Sequence, residues 1–242
     1  LINKLKEGIM LTLPVSYAKY GSGPLAEIIG WIDWKNTYLD IDTSLTDIKV
    51  PLENGLTLTF DIKNTTLLGN GYSLNPTTLS SINSPFGTLN YTEIPGNVAL
   101  QIHTMYPTQS TIRLTLTNIR VTNSFGNPIY NFAFAISNVE TATDITTPIA
   151  ESQIHHTDGK PWNLLAFVGD TSNPNHAGVD SQIVTVVGSN SDVMTSTGAP
   201  IITSENPSNL TIDITSNLGI KALSLGIYIV PQPKRGVNLF KK

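Results

Sequence analysis

The 242-residue chain contains no cysteine. Disulfide staples, a thiol nucleophile and thiolate metal ligation are therefore excluded. Charge is also scarce: Asp, Glu, Lys and Arg make up 13% of the residues, about half the usual share. Arginine occurs only as Arg113, Arg120 and Arg235, and the formal net charge is −4. A nucleic-acid partner needs a basic stripe, so that class is excluded. No apolar run approaches the roughly 20 residues of a membrane-spanning helix, and no membrane insertion is expected. The opening Leu1-Ile2-Asn3-Lys4-Leu5-Lys6 has neither an initiator Met nor an apolar signal core. It reads as the cut edge of a longer protein or as a mature chain.

Thr, Asn and Ser number 72 in all. Thr suits a half-exposed pleat and Asn suits turns, so the profile points to β-structure with a neutral polar surface. Period-two alternation recurs. Leu56, Leu58, Phe60 and Ile62 share one face, as do Ile112, Leu114 and Leu116, and again Leu210, Ile212 and Ile214. Ile183–Val187 and Leu223–Val230 read as more fully buried strands. Another alternating stretch runs from Asn118, turns at Gly126-Asn127-Pro128 and continues through Tyr130, Phe132, Phe134 and Ile136 to Glu140. Fifteen prolines and eighteen glycines break any longer helix; a single helical turn is expected near Pro76–Ile82. Many short strands between Gly, Pro and Asn turns predict an all-β, lectin-like sandwich or jelly roll of antiparallel strands with long polar loops. With no repeat or linker evident, one domain over 1–242 is expected. The polar stretch Leu67–Pro95 reads as a long excursion from it.

The loop from Glu151 to Asp180 gathers Glu151, His155, His156, Asp158, Asp170, Asn173, Asn175, His176 and Asp180. Zinc would need His155 or His156 with His176 and a carboxylate, but adjacent histidines on a strand face opposite ways. Asp170-Thr171-Ser172-Asn173-Pro174-Asn175 offers oxygens for calcium without EF-hand spacing. No cofactor is expected, with calcium held in reserve. Glu140 with Glu151 or Asp158 could form a glycosidase pair only if their separation suited it. Both Glu140 and Glu151 are read instead as structural acids, and no Gly-x-Ser-x-Gly elbow exists. Trp31, Trp34 and Trp162 could stack on sugar rings. Trp31 and Trp34 lie three apart in a strand-like segment, so one is expected in the core and the other exposed or under a loop.

Three ordered blocks carry a resemblance. The first is Ile29-Gly30-Trp31-Ile32-Asp33-Trp34-Lys35-Asn36 with Leu52-Glu53-Asn54-Gly55-Leu56-Thr57-Leu58-Thr59-Phe60. The second is Phe132–Glu140 with Glu151 and Asp158-Gly159-Lys160-Pro161-Trp162. The third is Leu223-Ser224-Leu225-Gly226-Ile227-Tyr228-Ile229. Their order resembles the lectin-like ligand-binding domain (the second non-repetitive domain) of CshA-type fibril adhesins of Gram-positive surfaces. Asn138 stands where that family carries an acid, and His156-Thr157-Asp158-Gly159 only approximates its Thr-Asn-Gly turn. The resemblance implies a β-sandwich on a cell surface, spore surface or fibre that binds a host or matrix component without catalysis.

The expected function is thus a non-catalytic adhesin domain for a host or matrix glycoprotein or glycan. The expected binding residues are Trp162, His155, His156, Asp158, Asn173, Asn175 and His176. Contact is expected along a rim made by the Asn64–Asn97 excursion and the Glu151–Asp180 loop, anchored on Trp162. A carbohydrate-binding or glycan-processing module is one alternative. A structural subunit of a fibre, capsid or phage tail is the other.

Overall fold

The computed structural model describes residues 10–21, 23–78, 91–104, 109–140, 150–155, 158–168, 176–187, 199–216 and 219–231. Its strands form two antiparallel sheets. The first contains β1 (Val15–Ser16), β2 (Gly30–Ile32), β5 (Asn75–Thr77), β6 (Ala99–Thr104), β9 (Phe132–Glu140), β11 (Asn163–Val168), β14 (Ala199–Glu205) and β16 (Gly219–Ile229). The second contains β3 (Ser44–Pro51), β4 (Thr57–Leu68), β7 (Ser110–Thr122), β8 (Pro128–Ile129), β10 (Ala150–His155), β12 (His176–Ala177), β13 (Ile183–Val187) and β15 (Leu210–Ser216). The first sheet runs β1-β2-β16-β9-β14-β11, with β6 also on β16 and β5 on β6. The second runs β12-β13-β10-β15-β7-β4-β3, with β8 on β7.

The alternation legible in the sequence sets the faces. Leu210, Ile212 and Ile214 of β15 and Ile112, Leu114 and Leu116 of β7 are buried between the sheets. Their neighbours Thr211, Asp213, Arg113 and Thr115 line the opposite, wetter face of the second sheet. On that face Arg113 donates two parallel hydrogen bonds of 2.6 Å to Asp213. The fork-to-fork match makes this the best-defined ion pair of the sheet.

Two one-residue bulges keep the core face continuous where strict alternation would lose it. In β7 the extra residue is Asn118, at φ 55°, after which Ile119 and Val121 rather than even positions are buried. In β3 it is Asp47, also at φ 55°. Asp61 of the strand between them fastens both, accepting the Asp47 N–H at 2.7 Å and the Asn118 side-chain amide at 2.6 Å.

The first sheet is covered on both faces. One packs against the second sheet; the other carries a smaller cluster of Ala18, Ala26, Ile29, Trp31, Tyr91, Val98, Ala99, Ala135, Ile201 and Ala222. Trp31 lies flat against Gly226, where an added β-carbon would come within 2.8 Å of the indole. Its ring meets Tyr91 edge-on at 6.0 Å, and the Tyr91 hydroxyl donates to the Pro24 carbonyl at 2.8 Å. Burial pushes the Tyr91 phenol up. Trp34 faces the other way, into the main core against Phe60. The expected opposition of Trp31 and Trp34 therefore holds, but both are buried. The Leu67–Pro95 segment also departs from expectation where it is described. Asn75–Thr77 is strand β5, residues 79–82 of the expected helical turn lie outside the described residues, and Tyr91 belongs to the cover.

Asn64 of β4 is buried beside the segments that bring Leu39 and Leu74 into the main core. Its amide donates to the carbonyls of Leu39 and Asp40 at 3.2 Å each and of Tyr72 at 2.8 Å. Two N–H hydrogens serve three acceptors, so one is shared. Replacing Asn64 with Ala strands buried carbonyls and is expected to lower the unfolding free energy by about 2–3 kcal/mol, read by urea denaturation.

Candidate binding end of the sandwich

Strand register gathers six connections at one end. Gly30 pairs with Ile227, Pro51 with Thr57, Phe132 with Ile229, Ala133 with Glu205, and His155 with Ile183 and Thr211. Residues 24–29, 52–56, 123–131, 158–162, 178–182 and 206–209 therefore lie toward the same end. The pairs Leu68–Thr111 and Ala150–Ser216 mark the other. The excursion that follows β4 thus departs from the end opposite the 158–162 turn. Residues 79–90 and 169–175, which make up much of the two segments expected to share a rim, lie outside the described residues.

The 158–162 turn is locked to the loop after β14. Asp158 accepts hydrogen bonds from the Ser208 N–H at 3.2 Å and from the Ser208 hydroxyl. Lys160 pairs with Glu205 through both side chain and backbone, and the Ser204 hydroxyl donates to the Lys160 carbonyl at 2.6 Å. On the other flank the Trp162 N–H donates to Ser181 at 2.8 Å and its carbonyl accepts from Asp180 at 2.7 Å. These bonds turn the chain inward, and Trp162 enters the main core with no exposed surface. Trp162 is therefore not the surface anchor expected from the sequence: a polar turn delivered a core residue. Asp158 remains exposed, with its carboxylate engaged as a brace.

The histidines are separated by the pleat. His155 is half-buried and pairs with Ile183 on the face away from the core. His176 pairs with Val186, which points into the core, so the two imidazoles fall on opposite faces. His176 packs on Phe167 at 4.8 Å, and its Nδ1 is buried with no hydrogen-bond partner among the described residues. Burial lowers its pKa below 6.5. Among the described residues no three His, Asp or Glu side chains cluster as metal ligands would. His156, Asn173, Asn175 and the calcium-type segment Asp170–Asn175 lie outside the described residues. Glu140 pairs with Lys221 near the end of β9, and Glu151 with Val187 and Thr215 in β10.

Sequence reasoning missed a cleft at this same end. It encloses about 170 Å³ and is lined by Tyr17, Glu27, Ile28, Leu52, Glu53, Asn54, Ile227, Tyr228 and Ile229. Gly30 lets Tyr17 lie across the strand, since an added β-carbon there would sit 3.2 Å from the phenol oxygen. Asn54 holds the hairpin tip at φ 58°. Burial raises the Tyr17 phenol pKa, and the Glu53 charge adds to the rise. Burial also raises Tyr228; a hydrogen bond with Thr203 works against this, while the Glu205 charge reinforces it. Tyr228 and Glu205 both pair with Ala133, so the cleft and the Lys160–Glu205 clamp are parts of one surface. Isoleucine walls, two phenols, two carboxylates and an amide suit a ligand with an apolar face and several donors. A sugar ring meets that description.

Fold and site define a lectin-like, two-sheet antiparallel sandwich with a polar-rimmed cleft at one end. The family described as surface adhesin CshA non-repetitive domain 2 matches residues 27–229. The chain belongs to that family of surface adhesin domains, which confirms the resemblance read from its three blocks and associates it with adhesion at the cell surface. Among solved structures it is similar to the N-terminal domain of the Streptococcus gordonii adhesin Sgo0707. That match has a TM-score of 0.42 and 13% identity and covers 90% of this chain and 55% of that one. It is also similar to the glucan binding protein C of Streptococcus mutans, with a TM-score of 0.34 and 10% identity over 89% of this chain and 64% of that one. The chain thus spans less than two thirds of the length of either. No curated protein sequence matches it.

Two measurements check the site's architecture. Trp162→Ala is expected to destabilise the domain by about 3–5 kcal/mol, as removal of a core indole does; a variant as stable as the parent would contradict the buried placement. For His176 the folded state favours the neutral imidazole. Its contribution is complete above the ordinary value of 6.5 and is lost as pH falls through the lowered pKa. Denaturation curves on the two sides of that value should show a smaller acid loss in His176→Leu than in the parent.

Proposed function

We propose that the domain is a non-catalytic adhesion module, carried at a cell surface or on a surface fibre, that binds a host or matrix glycoprotein or glycan at the cleft end of the sandwich. The observation that carries the reading is the cleft between Tyr17, Glu53, Asn54 and Tyr228, continuous through Glu205 with the turn bearing Lys160 and Asp158. It supports a contact surface on which apolar walls take a ring face and carboxylates, phenols and an amide take its hydroxyls. Ile28, 48% exposed beside the cleft, supplies apolar area at the rim. With few charges on the chain, hydrogen bonding rather than electrostatic steering dominates the contact.

A glycan array and a panel of immobilised matrix glycoproteins, probed with the parent domain, identify the ligand class. Against any hit, Glu53→Gln and Ile28→Asp should each weaken binding at least about tenfold (~1.4 kcal/mol). Thr115→Ala, on the wet face of the second sheet, should leave binding unchanged. Binding retained by both cleft variants would place the contact elsewhere.

A further inference from the structure

Two aromatic side chains at the cleft end belong to neither core cluster. Phe125 is 86% exposed and Tyr130 74%, more than any other large apolar side chain among the described residues. Both lie in the connection from β7 to β9, on either side of β8. Ser124, beside Phe125, abuts the hairpin tip that borders the cleft: a β-carbon added at Gly55 would sit 3.7 Å from that of Ser124. Asn131, beside Tyr130, accepts from the Val230 N–H at 2.7 Å and donates its amide to the Val230 carbonyl at 3.2 Å. Val230 follows Ile229, which lines the cleft. One aromatic position therefore stands by the hairpin wall of the cleft and the other by its β16 wall. The tip that carries Phe125 is tightly fixed. The Asn123 side-chain oxygen accepts the N–H groups of Phe125 and Asn127 at 3.0 Å each. The Asn123 N–H donates to the Asn127 carbonyl, and the Gly126 N–H to the Asn123 carbonyl, at 2.9 Å each. An apolar ring held in water this way contributes nothing to the fold, but it is already ordered for a partner.

The degree of exposure also decides the kind of partner. An aromatic platform for sugar rests one face on its own protein and offers the other to the ligand. Phe125 has both faces in water, so burying it takes a concave apolar site that closes on the ring from several sides. A folded polypeptide forms such a pocket and an oligosaccharide does not. A second copy of this chain is disfavoured. A two-fold contact sets a patch against itself, and here it would bring Glu27 and Glu53 of the cleft toward their counterparts. Neither carboxylate is paired with a cation among the described residues. We propose, resting on the cleft reading above, that Phe125 and Tyr130 form a protein-docking surface beside the cleft and that the partner is a glycoprotein held at two points. The cleft takes a sugar, while an apolar pocket of the polypeptide, with Lys or Arg at its rim toward Glu53, closes on Phe125. Because both contacts belong to one molecule, each raises the effective concentration of the other, and intact glycoprotein binds more tightly than its free glycan.

Surface plasmon resonance with the full chain tests this on three probes. They are each matrix glycoprotein that binds the parent, the same glycoprotein stripped of N- and O-linked glycans, and its released glycans. Phe125→Ser, checked for folding by circular dichroism, should weaken binding to the intact glycoprotein at least about tenfold and leave affinity for released glycans unchanged. Tyr130→Ser should follow it, whereas Glu53→Gln should weaken both. The parent should retain binding to the stripped glycoprotein, and Phe125→Ser should lose it. An equal loss on released glycans would make Phe125 part of the sugar site; unchanged affinity for every probe would make it a bystander. Either result overturns the docking surface and leaves the cleft reading standing. A dimer in sedimentation that Phe125→Ser abolished would assign the ring to a second copy and overturn the proposal as well. Binding sensitive to Phe125→Ser but not to Glu53→Gln would keep the docking surface and sink the cleft. A parent that bound no glycoprotein and no glycan would remove both readings together.

Discussion

Strand β16 has no wet face along its central stretch. Leu223, Leu225 and Ile227 point between the sheets, while Ala222 and Gly226 lie under the cover formed with Trp31 and Tyr91. The outward positions must therefore be small, and the segments that cover them must come from far away in sequence. Residues 18–31 and 91–99 supply that cover, and Gly226 is the point where the two requirements meet. Removal of apolar surface from water on both sides makes the first sheet the inner layer of the molecule. The second sheet, with its Thr and Arg–Asp face, can remain half solvated.

Much of this was legible where a single periodicity governed a strand. β15 alternates without interruption, and the core half of β7 is readable from Ile112, Leu114 and Leu116. The bulges at Asn118 and Asp47 were not legible, because only the neighbouring strand shows which residue is extra. Trp31 and Trp34 illustrate the same limit. Their opposition follows from spacing alone, but the burial of both depends on a cover that local sequence does not announce. A helical turn was expected to begin near Pro76, yet the free edge of β6 draws 75–77 into the sheet.

The binding end was harder to read for a related reason. Tyr17, Glu27, Glu53 and Tyr228 come from four separate segments, each with an ordinary local explanation as turn or core strand. Only register places them around one cleft. Acids, histidines and a tryptophan close together in sequence suggested the 151–180 loop, but the pleat sends His155 and His176 to opposite faces. The clamp of Asp158 on Ser208 and Lys160 on Glu205 then turns Trp162 inward. The family blocks succeeded better because they record the order of strands, which topology preserves.

The paired bulges around Asp61 have a mechanical consequence. β4 is hydrogen-bonded along most of its length to β7 on one side and to β3 on the other, and Asp61 ties both neighbours at the same level. Antiparallel hydrogen bonds run perpendicular to the strands. Tension applied along the strands from the cleft end is therefore met in shear, by many bonds at once, and they cannot be unzipped singly. The bulges act as detents against sliding, since moving β4 by one residue would unseat Asp61 from both partners together.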